Sequence, residues 1–243
     1  MCTVSFIPVK NSIYICSSRQ ENRFRTNART PHIYKMATGK ILMPRDEQAG
    51  GTWIALHENG NAVVFLNGAH NKHQSNPPYR RSRGFVLLEI LDSIHPNRHF
   101  AEMDLNRIEP FTAIIWENYR LFECLWDGEK KYSIPLHNRI GHLWSSSTLY
   151  DEQAIKSRKE KFSNWLSSGP KISLESISDF HQNMGGADIP NNPAADGRNL
   201  ILTVSFTGIE LKSNYGRMKH LDLRYLHSGE ESLSFTRALI AKE

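Results

Sequence analysis

The chain has 243 residues, a net charge of +5 and 39% hydrophobic residues, values that suit one large globular domain over residues 1–243. Such a length can bury a core without disulfides or a structural metal. Its basic residues are scattered among acids, the richest cluster being Tyr79-Arg80-Arg81-Ser82-Arg83, which argues against nucleic-acid binding. No apolar run reaches membrane-spanning length, and no basic-then-apolar leader opens the chain, so a cytoplasmic protein is expected.

In chain order, Thr3 to Ile7 and Ile13 to Ser17 read as strands joined by a turn at Pro8 to Ser12. The polar stretch from Asn22 to about Gly51 is expected to be irregular and to wall a site. Thr52 to Leu56 and Ala62 to Leu66 are strand-like and flank Glu58-Asn59-Gly60, a hairpin signal. The second run is apolar on both faces, which predicts a sheet covered on both sides. Asn71 to Ser82 reads as loop, and Arg83 to His95 as a helix ending before Pro96. From Phe111 onward, Glu-Asn and Asp-Gly turns divide the apolar runs into a meander of three strands.

Asp151 to Leu166 is expected to form a helix with Asp151 as N-cap. Ser173 to His181 predicts a shorter helix, and the Gly-, Pro- and Asn-rich run from His181 to Asn199 a loop. Leu200 to Phe206 and His220 to Leu226 complete the strands. Paired strands, two helical blocks and one doubly apolar strand predict an α+β fold, a four-layer α-β-β-α sandwich.

Three cysteines, Cys2, Cys16 and Cys124, have no metal-like spacing. The latter two sit in apolar contexts typical of inert thiols. Cys2 differs because loss of Met1 would leave it with a free α-amine. That amine, with a pKa near 8, can take the thiol's proton and act as base for its own side chain. Arg19 could lower the thiol pKa and Glu21 could orient the amine. Cysteine at position two can also arise by chance, and Arg19 with Glu21 equally fits a surface ion pair.

Asn67, at the end of an apolar strand, is a candidate oxyanion donor, although Asn before Gly68 is also ordinary turn chemistry. Arg158 shares a helix face with Ile155 and Phe162. It must either snorkel to solvent or reach beneath the sheet to an anion. His70, His73, His95 and His99 read as loop residues without the carboxylate or third ligand of a metal site. No cofactor or metal is therefore expected, although a lone histidine could ligate haem.

The segments "MCTVSF", "SSRQENRF", "GGTWIAL", "GNAVVFLN" and "SRGF" resemble the NRDE family in order and spacing; it is also called the transport-and-Golgi-organisation (TANGO-type) family. The resemblance is strongest over the first 90 residues or so. It implies the N-terminal-nucleophile hydrolase fold and distant likeness to bile-salt hydrolases and penicillin V acylases. It carries Cys2 onto their nucleophile, Arg19 onto the neighbouring arginine, Asn67 onto the oxyanion asparagine and, more loosely, Arg158 onto a late arginine. The implied activity is cleavage or transfer at a small-molecule amide or acyl substrate. Haem or lipid carriage without catalysis is the alternative. Two positions depart from the family: Gln20 replaces a carboxylate, and Ser146 replaces an asparagine that would be a second oxyanion donor.

Overall fold

A computed structural model describes residues 3–22, 24–185 and 201–236. Two antiparallel sheets face one another. The six-stranded sheet has the order β10-β1-β2-β11-β12-β13, and the seven-stranded sheet runs β3-β4-β5-β6-β7-β8-β9. The first contains β1 (Thr3–Val9), β2 (Ser12–Asn22), β10 (His142–Ser145), β11 (Ile201–Leu211), β12 (Tyr215–Asp222) and β13 (His227–Ser234). The second contains β3 (Ala28–Lys35), β4 (Lys40–Asp46), β5 (Ile54–His57), β6 (Ala62–Asn67), β7 (Phe111–Glu117), β8 (Arg120–Trp126) and β9 (Lys131–Leu136). Helices α1 (Arg83–Leu91) and α2 (Pro96–Glu102) cover the second sheet, and α3 (Glu152–Ser167) and α4 (Leu174–Gly185) cover the first.

The strand pleat sorts side chains between layers. Along β2, Ile13 and Ile15 enter the core between the sheets with Val4, Phe6 and Trp116. Tyr14 and Cys16 point the other way, to Phe162 and Ile177 beneath the helices. On the second sheet Val63 and Phe65 of β6 face Val86 and Ile90 of α1, while Val64 and Leu66 face the inter-sheet core. Burial on both faces explains the unbroken apolar run of β6. The layers are thus α-β-β-α, as expected.

The Asn59-Gly60 hairpin, the three-strand meander from Phe111 and the Asp151 cap all form. The Asp151 side chain accepts from the Ala154 N–H at 2.8 Å.

Other segments differ from expectation. The stretch from Asn22 to Gly51 is not irregular, for it contains β3 and β4. Their signal is hidden because β3 is an edge strand holding Pro31, with a register break between Arg29 and His32. The helix expected over 83–95 stops at Leu91, and a separate helix follows it. Asp92 leaves α1 to accept from the Ala37 and Thr38 N–H groups of the β3–β4 turn, and Pro96 starts α2 at its first turn. The strand placed over 220–226 instead ends at Asp222, whose Oδ1 takes the Arg224 and Tyr225 N–H groups and turns the chain into β13. Strand β11 outruns the expected 200–206, and β10 was hidden by its shortness. The loop expected from His181 begins inside α4; its remainder from residue 186 to 199 lies outside the described residues.

Candidate active site

Strand β2 continues past Ser17 to Asn22, so Arg19 and Glu21 lie within it rather than closing it. Both follow Ile13 and Ile15 on the inter-sheet face. The layer changes character along β2, apolar at Ile13 and Ile15 and polar at Arg19 and Glu21. There the sheets part around a cleft of about 580 Å³ lined by Arg19, Glu21, Asp46, Trp53, Asn67 and Arg83 among others. Three expected site residues, Arg19, Glu21 and Asn67, thus converge on one opening. The register of β1 on β2 ends at Thr3↔Ser18. Arg19 is the next residue of β2, at the end of the sheet where β1 begins. Cys2 itself lies outside the described residues.

Arg19 is buried and lies over Trp53, its guanidinium carbon 4.9 Å from the ring centroid. It donates to Asp46 Oδ2 and lies 3.6 Å from Glu21 Oε2. Arg25 joins the cluster, 3.1 Å from Asp46 and 3.6 Å from Glu21. Burial pulls the Arg19 guanidinium below its ordinary pKa while Asp46 and Glu21 push back. Burial alone would raise the Asp46 carboxyl. The Ala49 N–H and the two arginines outweigh it and hold the carboxyl below the usual range. Two guanidiniums and two carboxylates therefore nearly cancel, and Arg19 acts as a fixed donor within a network more than as a lone cation.

Sequence reasoning missed Asp46, Arg25 and Trp53. Asp46 had a readable signal: its Oδ1 accepts from the Gln48 and Ala49 N–H groups, an aspartate-initiated turn that ends β4 and aims the other oxygen at Arg19.

Asn67 ends β6 opposite Phe111. The buried Ser146 hydroxyl donates to the Asn67 carbonyl at 2.7 Å. Ser146, the position of the family departure, thus ties the ends of β6 and β10 together across the two sheets. The glycines of "GGTW" and "SRGF" also have a physical reason. A Cβ on Gly51 would stand 2.8 Å from the Gly84 carbonyl carbon, and one on Gly84 would stand 2.9 Å from the Thr52 carbonyl oxygen. Only bare backbone permits that approach, which brings the start of α1 to the cleft wall.

Arg158 is placed elsewhere. It is 1% exposed and does not snorkel. From α3 it reaches the helix-covered face of the first sheet, donating to Thr3 Oγ1 at 2.6 Å, Ser145 Oγ at 3.0 Å and the Met184 carbonyl at 2.8 Å. Its guanidinium lies 4.3 Å from the Tyr150 ring centroid. Because Thr3 pairs with Ser145, this fork clamps the first described pair of β1. Beside it His181 bridges Ser5 at 2.8 Å and Ser18 at 2.6 Å; burial, aided by Arg158, pushes its pKa down to about 3. Gln20 also faces this side, donating to the Tyr150 hydroxyl at 2.8 Å. An amide suits that neutral partner.

The other two thiols are inert. Cys16 and Cys124 are free and buried, and burial pushes Cys16 well above the ordinary thiol range and Cys124 to about 12. Among the described residues no cluster of three or more His, Cys, Asp or Glu could hold a metal ion, and no helix is long and apolar enough to cross a membrane.

The stacked sheets and their outer helices give the chain the α+β sandwich fold of N-terminal-nucleophile hydrolases. An N-acylethanolamine-hydrolyzing acid amidase ortholog from Caenorhabditis elegans superposes with a TM-score of 0.55 at 13% identity, covering 86% of this chain and 92% of its own. A cysteine mutant of conjugated bile acid hydrolase from Clostridium perfringens gives 0.60 at 10% identity, covering 98% of each chain. An arginine variant of the same enzyme gives 0.58 at 10%, covering 99% of each. The comparison with curated proteins gives no match. The chain belongs to the Transport and Golgi organisation 2 family, whose model matches residues 1–184.

Proposed function

We propose that the protein is a thiol amidohydrolase or acyltransferase of small amide or acyl compounds, working through Cys2 after loss of Met1. The observation that carries this reading is the convergence of Arg19, Glu21 and Asn67 on one cleft at the end of the sheet where β1 begins. In this reading the α-amine of Cys2 takes the thiol proton and the thiolate attacks the acyl carbon. The Asn67 amide donates to the resulting oxyanion, and collapse expels the amine with the stored proton. Water, or a second amine, then takes the acyl group from sulfur. Arg19, fixed by Asp46 and Trp53, supplies a guanidinium edge at the site. Glu21 is the carboxylate available to orient the α-amine.

The hydrolase-like fold supports this reading, as do the neighbouring amidase and bile acid hydrolase. The reading takes residues 1–243 as one domain. Haem or lipid carriage rests on resemblance alone; His70 packs edge-on to Tyr132, and His73 lies 3.4 Å from Glu109.

The test is single-turnover acylation with an activated ester such as p-nitrophenyl butyrate, followed by peptide mapping. A stoichiometric burst with the butyryl group on the Cys2 peptide is expected, absent in Cys2→Ala. A burst that survives Cys2→Ala, or an acyl group on another residue, refutes it.

A further inference from the structure

The inter-sheet layer has a second opening, at the far end of β1. It holds about 890 Å³ between the β1–β2, β7–β8 and β11–β12 turns and the loop after β9. Strand β1 runs seven residues from Thr3 beside the first cleft to Val9 beside this one, so the two openings are roughly 20 Å apart. No expected site residue lines it.

Its chemistry differs from that of the first cleft. There, five arginines face three carboxylates, Glu21, Asp46 and Glu109. Here the charged lining residues are Lys10, Arg139 and Lys212, with no carboxylate among them. Lys212 is partly committed, 3.6 Å from Glu210 Oε1, and Glu210 is itself neutralised by Arg217 at 2.8 Å. Among the described residues neither Lys10 nor Arg139 has an ion-pair partner. The walls are apolar: Val9, Ile13, Leu211, Trp116 and the Tyr119 ring.

Two of the lining residues also carry buried donors. Trp116 is 1% exposed, and its Nε1 has no acceptor among the described residues; the same holds for the buried Tyr119 hydroxyl. The two rings meet edge to face, with centroids 5.9 Å apart. Asn118 and Tyr119 hold positive φ values of 46° and 60°, outside the usual range for residues with a Cβ. Asn138 donates to the Tyr119 carbonyl and fixes that turn. Burial raises the Tyr119 pKa, so the phenol keeps its proton and remains a donor. Apolar walls and an unbalanced cationic rim make a pocket of ordinary ligand size.

We propose that this far-end pocket binds an organic carboxylate with a rigid apolar body, its carboxylate held by Lys10 and Arg139 and its body against Trp116 and Tyr119. This site is independent of Cys2 chemistry and of the cleft at Arg19. Lys10 and Arg139 supply charge-assisted donors to the carboxylate, and the aromatic pair supplies the apolar contact.

The test is calorimetric titration of the full-length protein with 1-naphthoate and, separately, with the neutral 1-naphthalenemethanol. The expected result is saturable naphthoate binding that weakens with added salt and falls about five- to tenfold in a Lys10→Gln/Arg139→Gln variant. Binding of the neutral compound should be weaker and indifferent to that variant. Three results overturn the proposal: no saturable binding, equal losses for charged and neutral compounds in the double variant, or naphthoate binding that disappears with Arg19→Gln but survives the double variant. A protein that self-associates in sedimentation and takes up no naphthoate likewise overturns it, since a second copy would then cover the pocket.

Discussion

Arg19 and Arg158 are both buried arginines, one within the first sheet on its inter-sheet face and one reaching its other face from α3. Arg19 lies between the sheets, in a carboxylate network that opens on a cleft. Arg158 lies beneath α3 and α4, spread over two hydroxyls, a carbonyl and an aromatic face. The same side chain does two jobs: the first lines a cleft, and the second locks the start of β1 against the helices. Burial alone does not separate them. The partners do, because compensating charges leave a guanidinium edge fixed near solvent, whereas neutral acceptors fix a strand.

That contrast can be broken in several ways. The largest effect should follow Asn67→Ala in the cleft, which is expected to lower the acyl-transfer rate about 10²–10³-fold with little change in urea midpoint. An unchanged rate would remove Asn67 from the chemistry. Arg158→Met should do the reverse. It removes the donor to Thr3, Ser145 and the Met184 carbonyl and should cost about 3 kcal/mol or more in urea denaturation. A stable Arg158→Met protein with lost activity would invert the assignment.

Asp46→Asn leaves Arg19 and Arg25 to share Glu21, 3.6 Å from each, and should cost about 3 kcal/mol. Adding Arg19→Met should recover part of that loss, so a double-mutant cycle measures the coupling. Gly84→Ala forces a Cβ against the Thr52 carbonyl oxygen and should cost about 1–3 kcal/mol.

The last prediction concerns pH. His181 is held neutral by burial, with its pKa near 3 against about 6.5 when unfolded. Its folded value is depressed, so its contribution is complete above about pH 6.5 and is lost as pH falls toward 3, because the unfolded chain binds the proton first. His181→Asn should flatten the denaturation midpoint between pH 6.5 and 4. An equally steep profile would assign the acid sensitivity elsewhere.

Much of this architecture was legible where local chemistry and tertiary role agree. Asn59-Gly60 needed no partner to announce a hairpin, and Asp151 caps its own helix. Edge strands were not legible. In β3 the polar residues face water and Pro31 interrupts the pattern, so nothing in the local sequence marks its pairing with β4. The run ending at Leu226 misled because its apolar residues suggested a strand, while Asp222 capped a turn.

The cleft was half legible. Arg19, Glu21 and Asn67 stand out by position, but Asp46 becomes a partner of Arg19 only through sheet stacking across 27 residues of separation. Ser146 stood out as a departure from the family, and its hydroxyl ties down the Asn67 carbonyl.

The most direct test of the account is the intact mass of the purified protein before and after brief exposure to iodoacetamide under native conditions. The account predicts a chain lacking Met1 that takes up one carbamidomethyl group rapidly, on Cys2, while Cys16 and Cys124 stay unmodified until the protein unfolds. A chain that retains Met1 and still forms the acyl adduct, or rapid alkylation of Cys16 or Cys124 with Cys2 untouched, would contradict it.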